Sequence, residues 1–253
     1  MIDSHAHLHV KDFDEDRPEV FARLREAGVS RVLEVGIDRE GAAKALKLAA
    51  RYPEMLVAAG LHPHDSMKWD EDYRKDLLHI AGNRKVVALG EMGLDFYRDL
   101  SPRDAQDRCF REQLAVARET GLPVIFHVRD AEVEFLRVVD EEGAPARAVV
   151  HAFGGHRDFA KACLERGFWL GIGGVLTYKN SNLPEVLSEH VPVDRILMET
   201  DCPWLTPHPF RGKRNEPAML VHVREKLMEV YGFGEKEMDA ITDYSFDRFL
   251  GIE

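Results

Sequence analysis

Histidine and carboxylate residues recur along the chain at spacings that suit metal chemistry. His5 and His7 form an HxH pair near the start, and Asp201 lies in a Glu-Thr-Asp segment much later. In an extended strand, residues two apart point to the same side, so both imidazoles of the pair can bind one ion. Imidazole combined with carboxylate favours Zn, Mn, Co or Ni over Ca. Three further candidate ligands are Glu91, His127 and His151.

Short apolar runs predict the strands that position these residues. Several runs are continuous, not alternating, which is typical of strands buried on both faces of a parallel sheet. Amphipathic patterns between them predict helices, for example from Val20 to Ala27, from Cys109 to Ala117 and from Leu220 to Leu227. The predicted strands are Met1–Asp3, Val32–Ile37, Leu56–Leu61, Val86–Gly90, Val124–Phe126, Ala148–Val150, Trp169–Gly173 and Ile196–Met198.

Alternating strands and helices predict an α/β fold of the TIM (β/α)8 barrel type. An open doubly wound sheet is the alternative, but no GxGxxG follows the first strand. We expect a single domain over residues 1–253, because no linker rich in Gly, Ser or Pro is present. Each candidate ligand is predicted at or just past a strand end, with Glu91 ending the fourth strand. In a barrel these ends meet on one face, where active sites are built.

A single histidine at a strand end is more often a hydrogen-bonded structural residue than a ligand, and HxH alone is a weak signal. Here, five ligand-bearing segments coincide with five strand ends. That coincidence favours a metal centre made of His5, His7, Glu91, His127, His151 and Asp201.

Composition narrows the class of protein. The 253 residues are 45% hydrophobic, which suffices for one sizeable core. The net charge of −11 argues against a general nucleic-acid coat protein, so action on a polyanion would need local cations or bound metal.

Three cysteines without a CxxC pair indicate a reducing compartment. With neither a signal peptide nor an apolar run that could span a membrane, we expect a cytoplasmic protein.

Seven segments together resemble the TatD family of metal-dependent hydrolases, over nearly the whole chain and in family order. The resemblance implies a TIM-type barrel with two divalent ions (Mg, Mn or Zn). His5, His7 and Asp201 would hold one ion, His127 and His151 the other, and Glu91 would bridge them. The segments are Ile2–His7, Gly60–His64, Gly90–Tyr97, His127–Ala131, His151–Gly155, Glu199–Pro207 and Arg211–Pro217.

The family resemblance also implies a deoxyribonuclease of the 3'-5' exonuclease type, acting on DNA single strands or ends. Asp201 would orient a metal-bound water and take its proton, with Glu91 and His62 as the other catalytic residues. For Arg129 and Arg211 the alternative is a salt bridge on a loop. Trp204 could stack on a base or simply pack at the rim. The predicted substrate-binding residues are His62, His64, Arg129, Arg211 and Trp204.

Two other functions stay open from the sequence, since fold and metal site do not fix the scissile bond. One is an acyl hydrolase, such as a D-aminoacyl-tRNA deacylase or a lactonase, on the same metal centre. The other is a non-catalytic scaffold with a vestigial site. Cys202 is a poor candidate nucleophile, because the neighbouring carboxylate of Asp201 would raise its pKa. No obligate protein partner is evident, and the oligomeric state is left open.

Overall fold

In the computed structural model of the protein, residues 1–252 are described, and they form eight β-strands and nine α-helices. The strands are β1 (Ile2–Ala6), β2 (Arg31–Gly36), β3 (Met55–Ala59), β4 (Val86–Asp95), β5 (Val124–Arg129), β6 (Ala148–Val150), β7 (Trp169–Ile172) and β8 (Ile196–Met198). The helices are α1 (Arg17–Glu26), α2 (Arg39–Arg51), α3 (Glu71–Ala81), α4 (Arg103–Thr120), α5 (Glu132–Glu142), α6 (Arg157–Glu165), α7 (Leu183–His190), α8 (Leu220–Tyr231) and α9 (Glu235–Leu250). Within the described residues, no helix is long and apolar enough to cross a bilayer.

The strands form one sheet whose spatial order follows the chain from β1 to β8. The pairings of β1 with β2, β3 with β4, β4 with β5, β5 with β6 and β7 with β8 are parallel. β1 also pairs with the segment after β8, since Ala6 and Cys202 form a parallel bridge. A helix follows every strand of the described chain. The predicted α/β fold of the TIM (β/α)8 type is therefore confirmed.

Backbone packing groups the chain into two compact units. The first unit comprises Met1–Glu34 and the chain from Ala152 onward, and the second unit comprises Val35–His151. In the first unit, Trp169 of β7 packs edge-on against Phe249 of α9, with ring centroids 6.1 Å apart. The expectation of a single domain over residues 1–253 stays a prediction.

Three buried phenylalanines form the core of the second unit around β5. Phe126 of β5 packs edge-on against Phe110 of α4 and Phe135 of α5, with ring centroids 5.7 and 4.9 Å apart. Phe110 and Phe135 stack on each other at 5.6 Å. Edge-to-face and offset contacts of this kind stabilise aromatic pairs beyond the burial of their area. The cluster fixes the strand immediately before His127.

The prediction that β4 ends at Glu91 is wrong, because the strand continues to Asp95. The three-residue step of β4 from Leu89 to Met92 lies opposite a two-residue step of β5, which is the geometry of a β-bulge. Gly90 (φ 137°) and Gly93 (φ 144°) allow this path. A Cβ at Gly93 would lie 2.1 Å from the carbonyl oxygen of His127. Glycine here marks close approach to β5, not a turn.

Candidate metal centre

The first unit brings together the imidazoles of His5 and His7 and the carboxylate of Asp201. The two Nε2 atoms lie 3.1 Å apart, and Asp201 Oδ1 lies 3.8 Å from His5 Nε2 and 3.4 Å from His7 Nε2. Ligand atoms about 2.0–2.2 Å from a tetrahedral ion are separated by roughly 3.3–3.6 Å. These three residues, here called the first cluster, therefore fit a divalent ion with little rearrangement.

Backbone hydrogen bonds tie the Asp201 turn to β1. The Asp201 N–H donates to the His5 carbonyl at 2.9 Å, and the His7 N–H donates to the Cys202 carbonyl at 2.9 Å. Asp201 has φ +54°, a left-handed conformation that non-glycine residues seldom adopt. Such residues concentrate at functional sites, where the surrounding structure holds them. The carboxylate of Asp201 is thus aimed at the HxH pair by local backbone geometry.

Asp3 strengthens the same connection and was not predicted as a site residue. It is fully buried, and its carboxylate accepts from the backbone N–H of His5 at 3.3 Å and of Thr200 at 2.9 Å. It also accepts from the Thr200 hydroxyl at 2.6 Å. Burial raises the pKa of Asp3 to about 7, although the bonds from Thr200 act in the opposite direction. Asp3 joins the strand carrying the histidine pair to the residue before Asp201.

The second unit holds a further group of ligand-type atoms, here called the second cluster: Glu91, His127, His151 and His62. Glu91 Oε1 lies 2.7 Å from His127 Nδ1, 2.8 Å from His151 Nε2 and 3.5 Å from His62 Nε2. The nearest nitrogens of His127 and His151 are 3.1 Å apart. One carboxylate oxygen therefore faces three imidazoles, a donor set that suits transition-metal ions.

Protonation in the second cluster follows from burial and mutual attraction. Burial lowers the pKa of His62 to about 4, although Glu91 opposes this shift, so the ring is neutral near neutral pH. Burial would raise the pKa of Glu91, but the imidazoles of His151, His62 and His127 together hold it well below its usual value. A neutral imidazole and an ionised carboxylate are the forms that bind a metal.

Asp95 is a site residue that the sequence reasoning missed. Its buried carboxylate oxygen Oδ2 accepts from Nε2 of His127 at 3.0 Å and from Nε2 of His64 at 2.9 Å. This bond places the Nε2 proton of His127 toward Asp95 and turns Nδ1 toward Glu91. Metal-binding histidines commonly have a carboxylate behind the ring in this way. Sequence reasoning missed Asp95 because it ended the fourth strand at Gly90, whereas β4 continues to Asp95.

Each of the two predicted substrate-binding arginines places its guanidinium over a tyrosine ring. The guanidinium carbon of Arg129 lies 3.9 Å from the ring centroid of Tyr97, and that of Arg211 lies 3.8 Å from the ring of Tyr178. Neither forms an ion pair in the part of the chain that the structure describes. The alternative of a loop salt bridge is therefore not seen for either arginine among the described residues, and their part in substrate binding stays a prediction.

His62 belongs to the second cluster, His64 lies next to it, and Trp204 lies next to the first cluster. The His62 and His64 rings are 4.2 Å apart, and His62 also contacts the His127 ring at 4.5 Å. Trp204 is half exposed, with its ring 5.2 Å from that of His7. All three are therefore adjacent to candidate ligands.

Cys202 is fully buried, and desolvation together with the nearby Asp3 raises the pKa of its thiol well above the usual value. The thiol therefore stays protonated and is a poor nucleophile, although the sequence reasoning assigned the effect to Asp201 and not to burial and Asp3. Its backbone, in contrast, pairs with β1 through the Ala6 bridge.

The model of the family described as TatD related DNase matches residues 2–251. The chain belongs to the TatD family. A Bacillus subtilis protein named metal-dependent hydrolase YabD is 40% identical over 253 residues, which cover 100% of this chain and 99% of that protein. A Pectobacterium parmentieri protein named 3'-5' ssDNA/RNA exonuclease TatD is 38% identical over 259 residues, covering 100% of both.

Solved structures agree with this TatD membership. The crystal structure of YJJV, a TatD homologue from Escherichia coli, superposes with a TM-score of 0.93 at 29% identity, over 100% of this chain and 98% of that one. A TatD family hydrolase from Entamoeba histolytica has a TM-score of 0.89 at 22% identity, over 100% and 98% of the two chains, which shows the shared fold. The chain is thus an enzyme of a metal-dependent hydrolase family.

Proposed function

We propose that this TatD-family enzyme is a divalent-metal-dependent deoxyribonuclease that removes nucleotides from single-stranded DNA in the 3'-5' direction. The observation that carries the proposal is the pair of histidine and carboxylate clusters, each with the donor set of a metal site. The name of the Pectobacterium relative supports the substrate and the polarity. A cytoplasmic location, expected from the cysteine usage, stays a prediction.

Each cluster would hold one divalent ion, Mg, Mn or Zn. The first cluster supplies His5, His7 and Asp201, while the second supplies His127 and His151. Glu91 would hold the ion of the second cluster, and a bridging role for it stays a prediction from the family resemblance. Bound divalent ions lower the pKa of a coordinated water and offset negative charge on phosphate oxygens.

The protein's own residues would orient the reaction. Asp201, which lies 3.4 Å from His7 Nε2, accepts a proton from the attacking water. Asp95 fixes the tautomer of His127 so that its Nδ1 remains a ligand. His62, neutral because of its low pKa, donates a hydrogen bond to a phosphate oxygen without carrying charge itself.

Recognition of DNA would come from a few local groups. Arg129 and Arg211 supply unpaired positive charge, and the exposed face of Trp204 supplies a stacking surface. With a net charge of −11, long-range attraction is weak, and salt screens it within about 8 Å. We therefore expect a short contact region and distributive digestion.

The test is digestion of 5'-labelled and 3'-labelled single-stranded DNA by protein stripped of metal and reloaded with each ion. We expect a ladder shortening from the 3' end, abolished by Glu91→Ala and Asp201→Asn. The matched control is Asp194→Asn, since Asp194 lies before the start of β8, at the other end of that strand from Asp201, and its carboxylate pairs with Arg248. The control should digest DNA at the wild-type rate.

Parallel assays on single-stranded RNA and aminoacyl-tRNA separate the alternatives. Cleavage of an acyl bond with intact DNA in the same tube would contradict the nuclease proposal. Full DNase activity after complete metal removal would contradict the metal mechanism.

A further inference from the structure

We infer that Asn215 is a positioning residue for Asp201, holding the turn that aims this carboxylate at the first cluster. The inference rests on the proposed metal site, but it concerns a residue outside the candidate ligands, whose contact with Trp204 is to the backbone carbonyl and not to the ring. Asn215 lies in the Arg211–Pro217 segment. Of this segment, the proposed function assigns a role to Arg211.

The hydrogen bonds that Asn215 donates lead to the turn around Asp201, while its side-chain oxygen accepts from the backbone N–H of Glu216 at 3.0 Å. Its side chain is fully buried, and Nδ2 donates to the Thr200 carbonyl at 2.8 Å and to the Trp204 carbonyl at 2.7 Å. Its backbone N–H donates to the Pro203 carbonyl at 3.0 Å. One amide group therefore joins a backbone carbonyl before Asp201 to another after it.

Asp201 needs such support for two reasons. Its φ of +54° is a conformation that the surrounding structure must impose. Its carboxylate must also stay within ligand distance of His5 and His7, from which it now lies 3.8 and 3.4 Å. A change of about 1 Å in the position of a ligating group is enough to weaken a site of this kind.

The neighbours of Asn215 anchor it to helix α1. Arg214 forms a two-pronged pair with Asp16, with both N···O distances 2.7 Å. Glu216 forms another with Arg23, at 2.7 and 2.6 Å. Bidentate pairs fix geometry as well as distance. Asn215 is thus held on both sides, and so can restrain the Asp201 turn instead of moving with it.

Asn215→Asp is the sharpest variant. It preserves the shape of the side chain but replaces the donating amide with a carboxylate oxygen that faces two carbonyl oxygens. Asn215→Ala removes both bonds without adding charge. The matched control is Ser245→Ala, because Ser245 is also fully buried and donates to a backbone carbonyl, that of Asp194 at 3.0 Å, before the start of β8.

The experiment measures Mn²⁺ and Zn²⁺ affinity of the full chain by calorimetry, together with thermal unfolding of the metal-free proteins. We expect Asn215→Ala and Asn215→Asp to bind metal at least about tenfold more weakly, as for other residues that orient ligands. Ser245→Ala should lower the unfolding temperature comparably while binding metal like the wild type. If Asn215→Ala does not fold, Asn215→Ser retains one donor and should show a smaller loss in the same direction.

Metal affinity in the Asn215 variants no weaker than in Ser245→Ala, at equal loss of thermal stability, would overturn the positioning role. A wild-type chain that takes up neither ion would instead contradict the metal site itself, and with it the proposed function. The two failures are therefore distinguishable.

Discussion

Substituting Asp95 with asparagine tests whether the carboxylate behind His127 tunes the second cluster. Asp95 is buried and accepts hydrogen bonds from His127 and His64. Burial lowers the pKa of His127, but the bonds to Asp95 and Glu91 outweigh it, so the net shift is upward. Hydrogen bonds to charged groups contribute about 1.5–3 kcal/mol. One pKa unit corresponds to about 1.36 kcal/mol.

Because the introduced amide would keep only a neutral acceptor, Asp95→Asn should weaken this hydrogen bond and lower the pKa of His127. The sign follows from the loss of a negative charge that stabilises the imidazolium. Metal affinity should also fall about 10- to 100-fold, because the ring becomes a weaker and less well oriented ligand.

The assay combines NMR titration of the metal-free histidines with calorimetry of metal binding. Asp107→Asn is the control, since Asp107 pairs with Arg111 and Arg137 on α4 and α5, away from the imidazoles. The control should change neither quantity. An unchanged or raised pKa of His127 in Asp95→Asn, or metal affinity equal to that of the control, would refute the reasoning.

Three further outcomes follow from the structure. Arg129→Gln and Arg211→Gln should each raise KM for single-stranded DNA several-fold and reduce the salt slope of binding by about 1, and an unchanged slope would argue against phosphate contact. Gln113→Ala removes two buried hydrogen bonds to the Leu61 backbone, of 2.8 and 2.9 Å, and should lower the free energy of unfolding in urea by about 1–3 kcal/mol. Phe126→Ala should cost about 3–5 kcal/mol in the same assay, and a loss below about 1 kcal/mol would contradict its role in the core.

The strands were predictable wherever an apolar run ended at a polar turn. β6 and β8 have the same bounds in the sequence prediction and in the structure. β4 was cut short because glycine usually ends or weakens a strand. Gly90 and Gly93 instead allow β4 to approach β5 closely, which depends on a neighbouring strand that one-dimensional periodicity does not describe.

The candidate ligands were predictable because their types are rare and their positions coincide with the predicted strand ends, although β1, β4 and β5 in fact run on past His5, Glu91 and His127. Asp95 and Asn215 were not, since acidic and amide side chains are common on loops and helices. Their roles come from partners 32 and 11–15 residues away in sequence, namely His127 for Asp95, and Thr200 and Trp204 for Asn215. These hydrogen bonds form only when the chain folds. Residue type alone therefore does not distinguish a carboxylate or amide that positions a ligand from one on the surface.

β1, which carries His5, and β4, which carries Glu91, each contain one extra residue relative to the neighbouring strand. In β1, the step from Asp3 to Ala6 lies opposite a two-residue step of β2, so one extra residue falls beside His5. In β4, one extra residue likewise falls beside Glu91, relative to β5. Bulges bend a strand and re-aim side chains near active sites. The extra residue therefore interrupts strict alternation at a candidate ligand in each strand, while β4 stays paired with β5 as far as Asp95.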